Sequence, residues 1–159
     1  MRIEPLNPYS AAATKLLAMS DAYMASLYPA ESNHMASPDT LAQPHVLFLG
    51  LTIDQTVAAC GAVKVMDDDG QYGEVKRLFV LPEFRGMGLS RAMMVALESH
   101  LQSRQIAWAR LETGIHQPEA LALYQRLGYR ERGPFGTYQL DPYSVFMEKR
   151  LTAEPESNL

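Results

Sequence analysis

Hydrophobic positions along this chain fall into blocks that alternate between the period of a helix and that of a strand. Residues 1–6 read as a short first strand closed by Pro8. Leu16, Met19, Tyr23 and Leu27 then recur at helical spacing and predict a helix over about 10–27. The polar, proline-marked stretch 28–34 is a loop by composition, and Ser37 stands as an N-cap for a short helix starting at Pro38. Apolar runs at 46–53 and 57–66 are joined by Asp54-Gln55, the pattern of a hairpin. Asp67-Asp68-Asp69-Gly70 turns the chain into a third run, 72–81, which Pro82 stops; together the three predict an antiparallel meander.

The second half changes rhythm. Leu89, Met93, Leu97 and Leu101 form one stripe with Ala92 and Ala96 beside it, while Arg91, Ser99, Gln102 and Arg104 face water. A strand over 106–111 follows. A strand, a helix and a neighbouring strand make a crossover unit, so 72–81 and 106–111 are expected to run parallel. Pro118 suits the first turn of another helix and Gly128 its C′ position, with Ala120, Leu123, Tyr124 and Leu127 on one face. Segments 129–132 and 144–151 form a closing strand pair across a long link holding Pro134, Gly136 and Pro142. No internal repeat interrupts this order. One domain over 1–151 is expected, with residues 152–159 a polar, frayed tail.

Composition narrows the classes. A chain of 159 residues, 47% hydrophobic, is long enough for one well-buried core. The net charge of −4 argues against a nucleic-acid footprint, which would be basic. No apolar run is long enough for a membrane span, and Met1-Arg2-Ile3-Glu4-Pro5 lacks the apolar centre of a signal peptide. A single cysteine, Cys60, rules out an internal disulfide and fits a reducing, cytoplasmic setting. Cys60 sits in an apolar run and reads as packing, and the four histidines have no metal-ligand spacing. No metal is expected.

The stretch richest in chemistry is Arg85-Gly86-Met87-Gly88-Leu89-Ser90, at a strand-to-helix junction. Two glycines there let the backbone approach a ligand, and the first helical turn presents free N–H groups and a positive dipole end to an anion. A Walker loop would close on Lys-Ser or Lys-Thr, and a dinucleotide fingerprint would place a third glycine at position 91; here that residue is Arg91.

The spacing instead resembles the acyl-CoA pyrophosphate loop of the GNAT acetyltransferase superfamily, Q/R-x-x-G-x-G/A, with Arg85, Gly88 and Ser90 on the marked positions. Ser90 departs from the usual glycine or alanine. The segment Gln117 to Tyr129 is similar to a later signature of that superfamily, N-x-x-A-x-x-L-Y-x-K-x-G-F, with Gln117, Arg126 and Tyr129 replacing Asn, Lys and Phe. Glu74 also precedes the loop at the separation seen where a glutamate serves as base. The resemblance implies an α/β (α+β) fold: a mixed, mostly antiparallel twisted sheet of six to seven strands, about four helices, and a splayed central parallel pair. It implies an acetyl-CoA-dependent N-acetyltransferase acting on a small-molecule amine, with a non-catalytic acyl-CoA sensor as the alternative. A homodimer stays open.

By that resemblance, acetyl-CoA is held by the amides of Arg85, Gly86, Met87, Gly88, Leu89 and Ser90, with charge from Arg85 and Arg91. Leu78, Phe79 and Val80 would lie along its pantetheine arm, the Val80 N–H polarising the thioester carbonyl, and Gln117 and Arg126 would complete the cofactor site. Tyr124 is the candidate acid, since a phenol stays protonated at neutral pH; otherwise it is a core aromatic. Glu74 and Glu112 are rival candidates for the base that deprotonates the amine. In the 28–34 loop, Glu31 could bind an amine and Asn33 or His34 orient it.

Overall fold

The computed structural model describes residues 1–151; the tail expected at 152–159 lies outside them. Strand β1 (Arg2–Pro5) leads into helix α1 (Ala11–Leu27), whose Ser10 Oγ accepts the Ala13 N–H at 3.2 Å. A 3-10 turn, Ala30–Ser32, precedes the short helix α2 (Pro38–Leu41), capped by Ser37 as expected. Then come the meander strands β2 (Val46–Ile53), β3 (Thr56–Met66) and β4 (Tyr72–Val80). Helix α3 (Leu89–Ser103) crosses over to β5 (Trp108–Gly114), and α4 (Pro118–Arg126) precedes β6 (Arg130–Arg132) and β7 (Ser144–Arg150). Among the described residues one seven-stranded sheet forms in the order β1-β2-β3-β4-β5-β7-β6. Only β4 and β5 pair in parallel.

One face of the sheet carries α3. Its Met93, Met94, Leu97 and Leu101 are fully buried against Val63, Val75 and Leu111, and Tyr124 of α4 joins the same core. The other face is shared. Toward β2 it is covered by α1 and α2, whose Leu16, Leu17 and Leu41 pack on Phe48, Cys60, Ala62 and Phe79. Toward β7 it is covered by the 133–143 link, where Phe135 packs on Tyr72 and Phe146. An uncovered strip is left between these two covers.

Three expectations shift. The buried stripe of α1 is Ala13, Leu16, Leu17 and Ser20, and Tyr23 is exposed on the flank of the helix, where the Arg85 guanidinium lies over its ring. Strand β5 begins at Trp108, not 106, because Gln105 turns in the left-handed region (φ +60°) and Ile106 N–H closes back on Leu101 C=O. It also runs on to Gly114, held by seven rungs with β7, so Glu112 lies within the strand. Tyr129 belongs to the end of α4, its N–H bonding Tyr124 C=O at 2.9 Å, and β6 starts one residue later.

Candidate active site

The parallel pair holds for only three rungs, Gly73, Glu74 and Val75 against Ala109, Arg110 and Leu111. Beyond them each strand follows its other neighbour. β4 stays with β3 across a bulge at Arg77, whose φ of +60° is a costly conformation for a side-chain-bearing residue. The strain is held by the Arg77 guanidinium, buried under α1 with Nη1 on Asp21 Oδ1 at 2.6 Å. β5 stays with β7. The result is a wedge-shaped gap, a cavity of about 90 Å³ bordered by Leu78, Glu112, Thr113, Gln117 and Tyr124.

The gap presents unpaired backbone. Leu81 N–H bonds Ala58 C=O at 2.9 Å, so the alternation of an antiparallel ladder turns the N–H and C=O of Val80 away from β3, toward the departed β5. Arg85 Nε takes the Val80 carbonyl at 3.2 Å, and its guanidinium lies over the Tyr23 and Phe79 rings, so Arg85 caps the end of β4. The loop after it is exposed. Gly86 (φ +81°) and Gly88 (φ +77°) are left-handed, and a Cβ on either would meet nothing within 4 Å. Gly88 is the N-cap of α3 and supplies no side-chain cap, which leaves the first-turn N–H groups to the loop side. Leu89 is buried in the core, Ser90 is half-buried, and Met87 and Arg91 are exposed. Arg126 is exposed at the last turn of α4, roughly 13 Å of helix from Gln117, whose Oε1 accepts the Tyr28 hydroxyl at 3.2 Å.

Two candidate groups face each other in the wedge. Glu112 Oε2 accepts the Ser144 hydroxyl at 2.8 Å. Burial lifts its carboxyl to about 7, against the lowering pull of that hydrogen bond and of Lys76. The Tyr124 hydroxyl makes no hydrogen bond among the described residues; burial first, then the charge of Glu112, pushes it above the usual phenol range. Glu74 is placed differently. Its Oε2 accepts the Tyr138 hydroxyl at 2.5 Å and the Lys76 ammonium at 3.3 Å, and it faces a second, larger basin of about 660 Å³ in the uncovered strip. Glu31, Asn33 and His34 line that basin, with His34 edge-on to the Tyr138 ring at 5.1 Å. His34, Met35, Lys76 and Tyr138 border both cavities, so basin and wedge adjoin. Tyr138 and Lys76 were not singled out from the sequence; the alternation of Glu74 and Lys76 on one strand face was the available signal.

The sequence profile of the acetyltransferase (GNAT) family matches residues 15–129. An IAA acetyltransferase from Azospirillum brasilense is 43% identical over 145 residues, covering 91% of this chain and 94% of its own. The chain belongs to the GNAT acetyltransferase family. A candidate acyl-CoA N-acyltransferase from Klebsiella pneumoniae superposes with a TM-score of 0.80 at 36% identity, covering 95% of this chain and 97% of its own. The PaiA N-acetyltransferase of Thermoplasma acidophilum, solved with coenzyme A, shares the fold at 18% identity (TM-score 0.68; 94% and 99% covered). This GNAT chain is thus an N-acetyltransferase, of a family that uses acetyl-CoA. The residues present fit that group: a gap beside Val80, and a glycine turn with open space above it at a helix N-terminus. Among the described residues no three His, Cys, Asp or Glu side chains are grouped to hold a metal, and no helix is long and apolar enough to cross a membrane.

Proposed function

We propose that this GNAT enzyme moves an acetyl group from acetyl-CoA to the amine of a small molecule, directly, with both bound at once. The observation that carries the proposal is the wedge itself, open between β4 and β5, with the glycine turn near the end of β4 and the basin adjoining it. The amides of residues 86–90 would hold the diphosphate, and the Val80 N–H would polarise the thioester carbonyl. Bound there, acetyl-CoA supplies the acyl carbon and a thiolate leaving group.

Glu112 takes the proton that the amine loses. A carboxyl near 7 is about half ionised at neutral pH and basic enough to take that proton, which is the match a general base needs. Tyr124, protonated across the neutral range, gives a proton to the departing sulfur. In balance, a C–N bond replaces a C–S bond, with one proton taken up by Glu112 and one released by Tyr124. Glu74 serves as a positioning residue, because Tyr138 and Lys76 already occupy its Oε2. A panel of primary amines screened for free-thiol release from acetyl-CoA tests the reading. Release with an amine and none without supports direct transfer; release independent of any amine contradicts it.

A further inference from the structure

The sheet face that floors the basin and continues under the 133–143 link carries an alternating charge pattern. Lys64 of β3 stands opposite Glu74 of β4, Glu74 opposite Arg110 of β5, and Arg110 opposite Glu148 of β7. Register neighbours share a face, so these four form one row across the sheet in which cation and anion alternate. On β6 Arg130 stands opposite Glu148, and Arg132, two residues on, pairs with Glu148 at 2.7 Å. From Glu74 to Glu148 each charge is matched: Lys76 and Tyr138 on Glu74, Asp69 and Glu148 on Arg110 at 3.2 Å each. Lys64 breaks the pattern. It lines the basin, and its ammonium has no ion pair or hydrogen bond among the described residues.

Other charges around the basin sharpen the contrast. Asp141, at the rim, accepts the Ser32 hydroxyl at 2.7 Å and the Tyr143 N–H at 2.8 Å. Glu31 is exposed at the rim, on the opposite cover from the 133–143 link. Lys76 spends two N–H groups on Glu74 and Tyr138 and has a third left. The unmatched positive charge therefore sits on the floor, away from the wedge. Lys64 and Glu112 lie two strand spacings apart, with Glu112 a further two residues along β5; their Cα atoms are roughly 12 Å apart. Met35, Met66 and Tyr72 line the basin with apolar surface.

We infer that the acceptor carries a carboxylate several bonds from its reacting amine, the carboxylate held by Lys64 with the free N–H of Lys76 and the amine delivered to the wedge. The spacer is hydrocarbon or aromatic, matched to the methionine and tyrosine lining. This rests on the amine-acetylation reading above, which fixes where the amine must go.

The test uses matched acceptors: ε-aminocaproate against hexylamine, and para-aminomethylbenzoate against benzylamine. The carboxylates should exceed their partners in kcat/KM by about tenfold or more, the worth of one charge-assisted hydrogen bond. Lys64→Met should bring that ratio near one through KM, and Lys64→Arg should preserve it. Equal kcat/KM within each pair, or a ratio untouched by Lys64→Met, overturns the inference and leaves the amine reading standing. No thiol release with any amine overturns both.

Discussion

Replacing Glu112 with Gln separates the electrostatics of the wedge from its shape. The carboxyl sits near 7 in the fold against an ordinary 4.5, which corresponds to about 3 kcal/mol of preference for the neutral form. The folded state holds this proton more tightly than the unfolded chain does. The wild type is therefore unpenalised below the unfolded value. It loses stability as the pH rises from there through about 7, where the whole cost is reached. Glutamine keeps the volume and can still accept from Ser144, but it has no proton to lose. Its advantage over the wild type should thus be small at roughly pH 5 and grow to at most about 3 kcal/mol at roughly pH 8, a rise in melting temperature of ~6–12 °C. Activity should move the other way. Wild-type kcat/KM should climb with pH through about 7; the variant should be flat and lower by about 10²-fold or more. Thermal melts and initial rates on the same two proteins read both effects. A stability difference that is the same at both pH values would refute the reasoning, because it would mean that burial does not penalise this carboxylate.

Tyr124→Phe should reduce kcat by about 10²-fold or more while coenzyme A affinity by calorimetry stays within about twofold; equal losses in both would return Tyr124 to a packing role. Gly88→Val puts a β-branched side chain at φ +77°, costing about 1–2 kcal/mol of stability and weakening coenzyme A binding, and native affinity would refute the loop assignment. Gly114→Ala sets a methyl 1.8 Å from the Tyr28 hydroxyl. Tyr28 would then release its bonds to His116 N–H and Gln117, at a cost of about 1–3 kcal/mol in urea melts.

Much of this arrangement was legible in the sequence because it rests on local signals. The α3 stripe, the Ser37 cap and the Asp54-Gln55 turn are all fixed by nearest neighbours along the chain, and each lies where the pattern put it. The parallel crossover followed from topology alone. What the sequence could not rank was Glu74 against Glu112. The two differ only in what folds over them: the 133–143 link brings Tyr138 onto Glu74, while the departure of β4 leaves Glu112 facing the gap. The bulge that permits that departure was equally hidden, since Arg77 is not a residue that announces a left-handed turn.

That bulge also explains how the two strands are held apart. A parallel pair that parts after three rungs leaves main-chain groups unsatisfied, and a flexible sheet would close to pair them. Closure is opposed on both sides. β4 is tied away by its ladder to β3 and by Arg77, whose charge is buried under α1 on Asp21 and would lose that partner if the strand straightened. β5 is tied away by seven rungs to β7, and Tyr28 packs against Gly114 at its far end while bonding the start of α4. The two ties use different residues, Asp21 within α1 and Tyr28 at its C-cap, so removing one should narrow the wedge only from its own side. Asp21→Ala should therefore weaken coenzyme A binding, through β4, without moving the Glu112-dependent pH profile, which belongs to β5; a shift in that profile would show that the two walls move as one body.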